Sequence, residues 1–136
     1  MRILLILIVT ILLSCAMEPS GDHRLKLVNS TKYELSIDYG VDTVPECPSI
    51  NDTEIYLKHS ILMGDTLGVL EYSRNPWPEF FETSKNKKLN LFIYNVDSLL
   101  TYKSVDTLIK GKIYKRLSYS LAEINSLNWV VVVKDE

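Results

Sequence analysis

The sequence has few of the residues from which catalytic and metal sites are usually built. Its 136 residues include two cysteines and two histidines, and neither His23 nor His59 has a cysteine or an acid at the spacing of a metal centre. A serine nucleophile elbow and a phosphate-binding glycine loop are also missing. Sequence motifs therefore assign no catalytic residue, no metal and no cofactor.

An excess of positive charge is missing as well. There are 15 basic and 17 acidic residues, which gives a net charge of −2. Because nucleic-acid binding usually needs a strongly basic face, we expect no nucleic-acid partner. Four loop acids, Asp38, Asp42, Glu46 and Asp52, leave a calcium site as an alternative, although the glycine-containing pattern of a calcium loop is absent.

The longest apolar run is too short to cross a membrane as a helix. It extends from Ile3 to Leu13, follows Met1 and Arg2, and is interrupted by Thr10. A bilayer core of about 30 Å needs about 20 residues, whereas a run of this length is typical of a signal peptide. We therefore exclude it from the fold, and no second apolar segment of spanning length follows.

The end of this run, Leu12-Leu13-Ser14-Cys15, resembles the lipobox of bacterial lipoproteins. The resemblance implies that residues 1–14 are removed and that Cys15 becomes an acylated first residue. Each buried methylene contributes about 0.8 kcal/mol, so two or three acyl chains anchor a protein stably. We expect the protein in the bacterial cell envelope, facing the periplasm or the cell surface. The alternatives are a secretory signal cut elsewhere and a retained short anchor.

The remaining chain has the size of one domain. Residues 15–23 are polar and contain Pro19, Ser20 and Gly21, which predicts a tether, and residues 24–136 form a single domain. If Cys15 is acylated, Cys47 is the one remaining thiol. An internal disulfide is then impossible, and stability must come from packing.

Apolar alternation and β-branched runs predict a mostly β fold, an antiparallel sandwich-like domain with seven or eight strands and two short helices. The alternative is an α+β sheet covered by its helices. The segments 24–27 and 33–39 flank a turn at 29–31 and predict a β-hairpin. The helices are predicted at 75–82, capped by Asn75, and from Ser120, where Glu123 completes a capping box.

Two apolar runs predict interior strands. Leu89–Tyr94 becomes wholly apolar, as expected for a central strand covered on both faces, and Val130–Val133 is too apolar for an exposed edge. The stretch from Asp97 to Lys110 is weaker and predicts a partial helix and an edge strand. Ile124 and Leu127 are expected on the buried side of the last helix.

The last 60 residues contain several segments that resemble a group of small uncharacterised lipoproteins from Bacteroides-type bacteria. These segments are Trp77 with Phe80 and Phe81, Leu91 to Asn95 with Asp97, Tyr114 to Leu117, Ser120-Leu121, and Leu127 to Trp129. The resemblance supports an envelope location and the fold. It implies no activity and no site residue.

Four tripeptides share the form aspartate, hydroxyl, aliphatic. They begin at Asp42, Asp65, Asp97 and Asp106, whereas ordinary composition would give about one. The form resembles the O-glycosylation site that Bacteroides-type bacteria use on exported proteins, which implies glycans on Thr43, Thr66, Ser98 and Thr107. The alternative is turn chemistry, in which aspartate and a hydroxyl start a turn.

The leading functional hypothesis is a non-enzymatic, lipid-anchored envelope module with a structural or partner-binding role. Its contact with the membrane would be through the acyl chains on Cys15, and its partner would be a protein or a glycan. A small envelope hydrolase assembled from distant loops is the rival. A third interpretation is binding of carbohydrate or peptide by exposed aromatic residues, such as Trp77, or by an open strand edge.

Overall fold

The structure is a computed structural model that describes residues 21–46, 53–73 and 75–135. Within these ranges it has eight strands and five short helices. The strands are β1 (Gly21–Asp22), β2 (Lys26–Ser30), β3 (Leu35–Gly40), β4 (Thr66–Gly68), β5 (Glu71–Tyr72), β6 (Lys88–Asn95), β7 (Lys115–Ser120) and β8 (Val130–Lys134). The helices are α1 (Thr53–Lys58), α2 (Pro76–Thr83), α3 (Val96–Tyr102), α4 (Val105–Lys110) and α5 (Leu121–Ser126).

Two three-stranded sheets contribute to one core. One has the strand order β4-β2-β8 and the other the order β3-β6-β7, while β1 and β5 form a separate pair. Apolar side chains of β2 and β8 share a buried cluster with those of β6, because alternate residues of each strand point to the same face. The residues of this cluster are Leu25, Leu27, Ile61, Val69, Trp77, Phe81, Leu89, Leu91, Ile124, Trp129 and Val131.

Three helices cover the other face of the sheet that contains β6. Phe92 and Tyr94 of β6 form a second buried cluster with Leu99 of α3 and Val105 and Leu108 of α4, and α1 packs at its margin. The six residues from Leu89 to Tyr94 are all buried. The prediction of a central strand covered on both faces is therefore confirmed.

The β-rich, sandwich-like fold class is confirmed, with more helix than the two segments predicted. The strands are not all antiparallel, because β2 and β8 run parallel, with Lys26 opposite Val130 and Ser30 opposite Lys134. Such a pairing joins the two ends of the chain's described part. A parallel pair needs a long connection, and here nearly the whole domain serves as that connection.

The predicted hairpin of residues 24–39 is wrong. β2 pairs with β4 and β8, whereas β3 pairs with β6 in the other sheet. The reason is the buried side chain of Asn29, which accepts hydrogen bonds from the backbone and hydroxyl of Thr31 and donates to the carbonyl of Tyr33 at 2.7 Å. These bonds turn the chain from one sheet into the other.

The prediction that Val130–Val133 lies inside a sheet is also wrong. β8 has β2 as its single neighbour among the described strands, so it forms an edge. Val131 and Val133 point into the core, while Val132 is 40% exposed. An apolar run therefore lies on an open edge, where natural proteins usually place charges, proline or a bulge.

Both predicted helices form, with two corrections in detail. Asn75 stands before α2, but its side chain makes no capping hydrogen bond, and the helix starts with proline at its first position. Ser120 and Glu123 do form the predicted capping box of α5. Ile124 is buried as expected, whereas Leu127 is 41% exposed because it lies beyond the end of the helix.

The stretch 97–110 forms two helices and no edge strand. Asn95 caps α3, where its side chain accepts from the backbone of Asp97 at 2.8 Å, and Ser104 caps α4. Two short amphipathic turns result, each with one apolar face on β6. Short helices of this kind depend on packing more than on propensity, so the sequence signal is weak.

The described part begins earlier than the predicted domain. Gly21 pairs with Tyr72 and Asp22 pairs with Glu71, so two residues assigned to the tether belong to a sheet. The predicted signal peptide and Cys15 lie outside the described residues. Among the described residues, no helix combines the length and the apolar character needed to span a bilayer.

Candidate functional site

The four predicted glycosylation residues lie on different parts of the fold. Thr66 at the start of β4 and Thr107 in α4 are exposed, whereas Thr43 and Ser98 are partly buried. Thr66 is on the outer face of its sheet, opposite Val28. Thr66 and Thr107 are therefore the more exposed of the four residues.

Two of the four tripeptides have a structural role. Those at Asp97 and Asp106 occupy the first turns of α3 and α4, where an acidic side chain is favoured by the helix dipole. Their aliphatic members, Leu99 and Leu108, are fully buried. Two of the four tripeptides thus recur because each starts a helix and buries its third residue. This supports the turn-chemistry alternative at these two sites.

An acidic cleft of 690 Å³ lies between the end of β3, the loop that follows it, α1 and α2. Its carboxylates are Asp38, Asp42, Glu46 and Glu71. Its aromatic walls are Tyr39, Tyr56, Phe80 and Phe92. Three of the loop acids noted in the sequence are thus brought to one place, while Asp52 lies outside the described residues.

Asp38 is the carboxyl in this cleft with the most unusual environment. Burial raises its pKa, although the backbone N–H of Tyr39 donates to Oδ1 at 2.8 Å and the Tyr56 hydroxyl is 3.3 Å from Oδ2. Those two hydrogen bonds and the nearby Glu46 act in opposite directions on the same pKa. Asp38 therefore keeps a proton at a higher pH than an exposed aspartate.

The loop at the cleft's rim is held by cations. Lys85 forms an ion pair with Asp42, and this pair lowers the pKa of Asp42. Arg116 of β7 donates from Nη1 to the carbonyl of Thr43 at 2.6 Å. Two of the cleft's neighbouring cations are therefore engaged in fixing the loop 41–46.

The part of the chain that the structure describes contains no group of three or more His, Cys, Asp or Glu residues arranged to hold a metal ion. Asp38, Asp42 and Glu46 line one cleft without forming such a group. Both histidines, His23 and His59, are exposed. Cys47 lies outside the described residues.

A second cleft, of 530 Å³, opens at one end of the two sheets. Its apolar floor consists of Leu35, Ile93 and Val133, which form a small buried cluster of their own. Polar groups at its lining include Ser98 and Lys115. The candidate residue Ser98 is therefore part of this groove.

The aromatic residues mostly serve the core. Trp77 is fully buried, and its ring centroid is 5.6 Å from that of Trp129. A sugar-stacking role for Trp77 is therefore wrong. Tyr33, Tyr72 and Tyr102 are the exposed aromatic side chains among the described residues, and they lie apart in the sequence, in the loop after β2, in β5 and in α3.

The open edge of β8 is the feature that sequence reasoning missed. The Lys26 N–H donates to the Trp129 carbonyl at 2.8 Å, which fixes the phase of the parallel ladder. The backbone groups that bond to β2 thus belong to residues 129, 131, 133 and 135. The backbone groups of Val130, Val132 and Lys134 point away from β2. A run of four valines carries no signal that distinguishes an edge from an interior strand.

Comparison of the chain with protein-family models, with curated proteins and with solved structures finds no match in any of the three.

Proposed function

We propose that this chain is a lipid-anchored protein of the bacterial cell envelope whose β-rich domain binds a partner. The observation that carries the anchor is the apolar run ending at Ser14 and Cys15. The fold is consistent with it, because the first strand among the described residues starts at Gly21. Six peptide units span at most about 21 Å, so an acylated Cys15 would hold the domain close to the membrane.

The partner-binding role is supported by the unguarded edge of β8. Its outward backbone groups include the N–H and C=O of Val132, which are available for an added strand, and Val132 itself is an exposed apolar side chain. Strand addition uses main-chain hydrogen bonds for affinity and alternate side chains for specificity. The acidic cleft supports binding less well, because Asp42 and Lys85 there are already paired with each other.

The anchor is tested by the intact mass of the protein extracted with detergent from its own host. We expect a mass equal to residues 15–136 plus acyl chains. Cys15→Ala should move the protein from the membrane fraction to the soluble fraction, whereas Cys47→Ala, which changes the other cysteine, should leave it in the membrane. A mass without acyl chains, or a Cys15→Ala variant that stays membrane-bound, would contradict the proposal.

A glycan hydrolase is the second candidate, and Asp38 is the observation that favours it. A carboxyl with a raised pKa can act as a general acid, and Glu46 and Glu71 line the same cleft as possible second carboxylates. The test is hydrolysis of a panel of nitrophenyl glycosides by the full chain. Turnover that is lost in Asp38→Asn and retained in Asp97→Asn supports this candidate, and no turnover removes it.

We further propose O-glycosylation at Thr66 and Thr107, the two exposed residues of the four, although the tripeptide of Thr107 also starts α4 and its hydroxyl donates to Ser104 Oγ at 3.0 Å. The same intact-mass measurement in the host reports added sugar. Thr66→Ala and Thr107→Ala should each remove one glycan mass, and Ser98→Ala should remove none. If no sugar is present, the recurrence of the tripeptide is explained by local structure alone.

A further inference from the structure

We propose that the exposed edge of β8 pairs antiparallel with β8 of a second copy of this chain, with Val132 facing Val132 across a two-fold axis. The two β4-β2-β8 sheets would then form one continuous six-stranded sheet. The inference rests on the fold and on the β8 ladder, and it holds with or without the lipid anchor.

Several backbone groups of β8 remain available for pairing. The ladder with β2 leaves the N–H and C=O groups of Val130, Val132 and Lys134 pointing outward. The Val130 N–H already donates to the Leu127 carbonyl at 3.1 Å, and Lys115 Nζ is 3.5 Å from the Lys134 carbonyl. Within the part of the chain that the structure describes, the outward groups without a partner are the Val130 C=O, both groups of Val132 and the Lys134 N–H.

This set is complementary to itself under a two-fold axis at Val132. Each Val132 N–H would donate to the Val132 C=O of the other copy, and each Lys134 N–H to the Val130 C=O. The two groups already bonded within the chain, the Val130 N–H and the Lys134 C=O, are the ones that would otherwise pair with each other. All available groups are thus used, and none is left unpaired.

Other symmetric registers use fewer of these groups. If the copies slide by two residues, Val132 lies opposite Val130 or opposite Lys134. Half of the resulting hydrogen bonds would then need the Val130 N–H, which already donates to Leu127, or the Lys134 C=O, which would have to be shared with the Lys115 amine 3.5 Å away. Since a buried backbone group without a partner is costly, the register centred on Val132 is favoured.

The side chains fit the same arrangement. Val132 is 40% exposed, and self-pairing would place it against an identical apolar residue. Lys134 would lie opposite Val130 and well away from the other Lys134. The edge has no proline, bulge or central charge to prevent pairing, and such devices are the usual protection of an edge strand.

The two ends of β8 carry complementary charge. At its start, Arg24 and Lys26 line a shallow depression with Trp129, and the Arg24 guanidinium is 4.3 Å from the Trp129 ring centroid. At its end Asp135 follows Lys134, and its carboxylate accepts from the backbone N–H of Lys32 at 3.2 Å. The antiparallel register places Asp135 of one copy opposite Trp129 of the other, so each acid approaches a basic depression, although Arg24 also pairs with Asp22. This charge pattern favours a second copy over an unrelated strand.

The first test is sedimentation of the full chain in detergent. We expect a dimer, and Val132→Lys should raise its dissociation constant by at least about tenfold, because like charges directly opposite on paired strands repel. Thr66→Lys adds the same charge to the other edge of the same sheet and should leave the dimer unchanged. A monomeric wild-type chain, or a dimer that Val132→Lys does not weaken, overturns the proposal.

The second test does not depend on how well Val132→Lys folds. In the register proposed, the two Val132 Cα atoms are about 5.5 Å apart, a distance that a disulfide can bridge. In a Cys47→Ser background, Val132→Cys should form a disulfide-linked dimer in membranes. Val28→Cys, on the same face but one strand inward, should not. Cross-linking of Val132→Cys to a different protein, and not to itself, overturns the proposal.

The outcome is separate from that of the proposed anchor. A chain without acyl groups that still forms the Val132 dimer would refute the anchor and retain this interface. A lipidated chain that stays monomeric would do the opposite.

Discussion

The side-chain amide of Asn29 donates a hydrogen bond of 2.9 Å to the carbonyl of Ile61, which lies 32 residues further along the chain. The same amide donates to the carbonyl of Tyr33, and its oxygen accepts from the backbone and hydroxyl of Thr31. Asn29 is fully buried and every bond of this set is made within the protein. One side chain thus holds together β2, the turn that follows it and the segment paired with β3.

Replacement of Asn29 should therefore be strongly destabilising. In Asn29→Leu the buried backbone N–H of Thr31 loses its acceptor, and the carbonyls of Tyr33 and Ile61 each lose one of two donors, since the Thr31 hydroxyl and the Leu35 N–H still bond to them. A buried group left unpaired costs about 1–3 kcal/mol. We expect the free energy of unfolding in urea to fall by about 2–4 kcal/mol. Ser30→Ala, at the exposed neighbour, should change it by less than about 0.5 kcal/mol. Equal effects of the two substitutions would show that the network is unimportant.

Replacement of Tyr94 should raise the stability, in contrast to replacement of Asn29. Its hydroxyl is buried and has no hydrogen-bond partner among the described residues, and its ring packs edge-on against Tyr56 with centroids 5.6 Å apart. Tyr94→Phe keeps the ring and removes the unpaired hydroxyl, so stability should rise by about 1 kcal/mol, as measured by urea unfolding. Tyr56→Phe removes a hydroxyl that bonds to Asp38 and should not stabilise. A loss of stability in Tyr94→Phe would show that the hydroxyl has a partner.

The raised pKa of Asp38 predicts how the stability of the protein changes with pH. Its pKa is raised in the folded state, chiefly by burial, so the protonated form favours folding and ionisation disfavours it. The stability of Asp38→Asn minus that of the wild type should therefore increase as the pH rises from below 3.8, the ordinary value, to above the raised pKa. Urea unfolding at several pH values measures this difference.

Asp42 is the matched control for that experiment. The hydrogen bond from Lys85 lowers the pKa of Asp42, so its contribution is present above the unfolded pKa and is lost as the pH falls through the folded one. The Asp42→Asn difference should thus change with pH in the opposite direction. If both variants follow the same trend, burial of Asp38 is not the cause.

The capping box of α5 can be tested by one substitution and its rescue. Ser120 accepts from the Glu123 backbone, while the Glu123 carboxylate accepts from the Ser120 backbone at 2.6 Å. Ser120→Ala should lower the free energy of unfolding by about 1 kcal/mol. Ser120→Thr retains a capping hydroxyl and should recover most of that loss. Thermal or urea unfolding of the wild type, Ser120→Ala and Ser120→Thr measures both the loss and its recovery.

Local signals accounted for the elements in which neighbouring residues set the structure. The capping box at Ser120 and the wholly apolar run of β6 were readable, because each depends on spacing within a few residues. The helices α3 and α4 were largely missed. Their six or seven residues acquire helical structure from buried contacts to β6, which no local pattern reveals.

The candidate sites were less readable than the fold. Asp38, Asp42 and Glu46 were recognised in the sequence only as acids of one loop region, and the structure places all three in one cleft. The raised pKa of Asp38 follows from burial beside β6 and α1, which the sequence could not show. The four tripeptides looked alike in sequence, yet two start helices and two lie elsewhere.

The sequence by itself determined the charged and apolar N-terminus that ends on Cys15, the scarcity of catalytic residue types and the β-rich character of the domain, because composition and short-range periodicity express these properties directly. The tertiary structure alone decided which strands are neighbours. The valines of β8 form an edge strand because β2, more than a hundred residues earlier, pairs with one side of them. The hydrogen bonds of Asn29 direct the chain into the other sheet, so that no hairpin forms. Strand pairing depends on contacts between residues that are far apart in the sequence. An interior strand and an edge strand can therefore have the same local sequence.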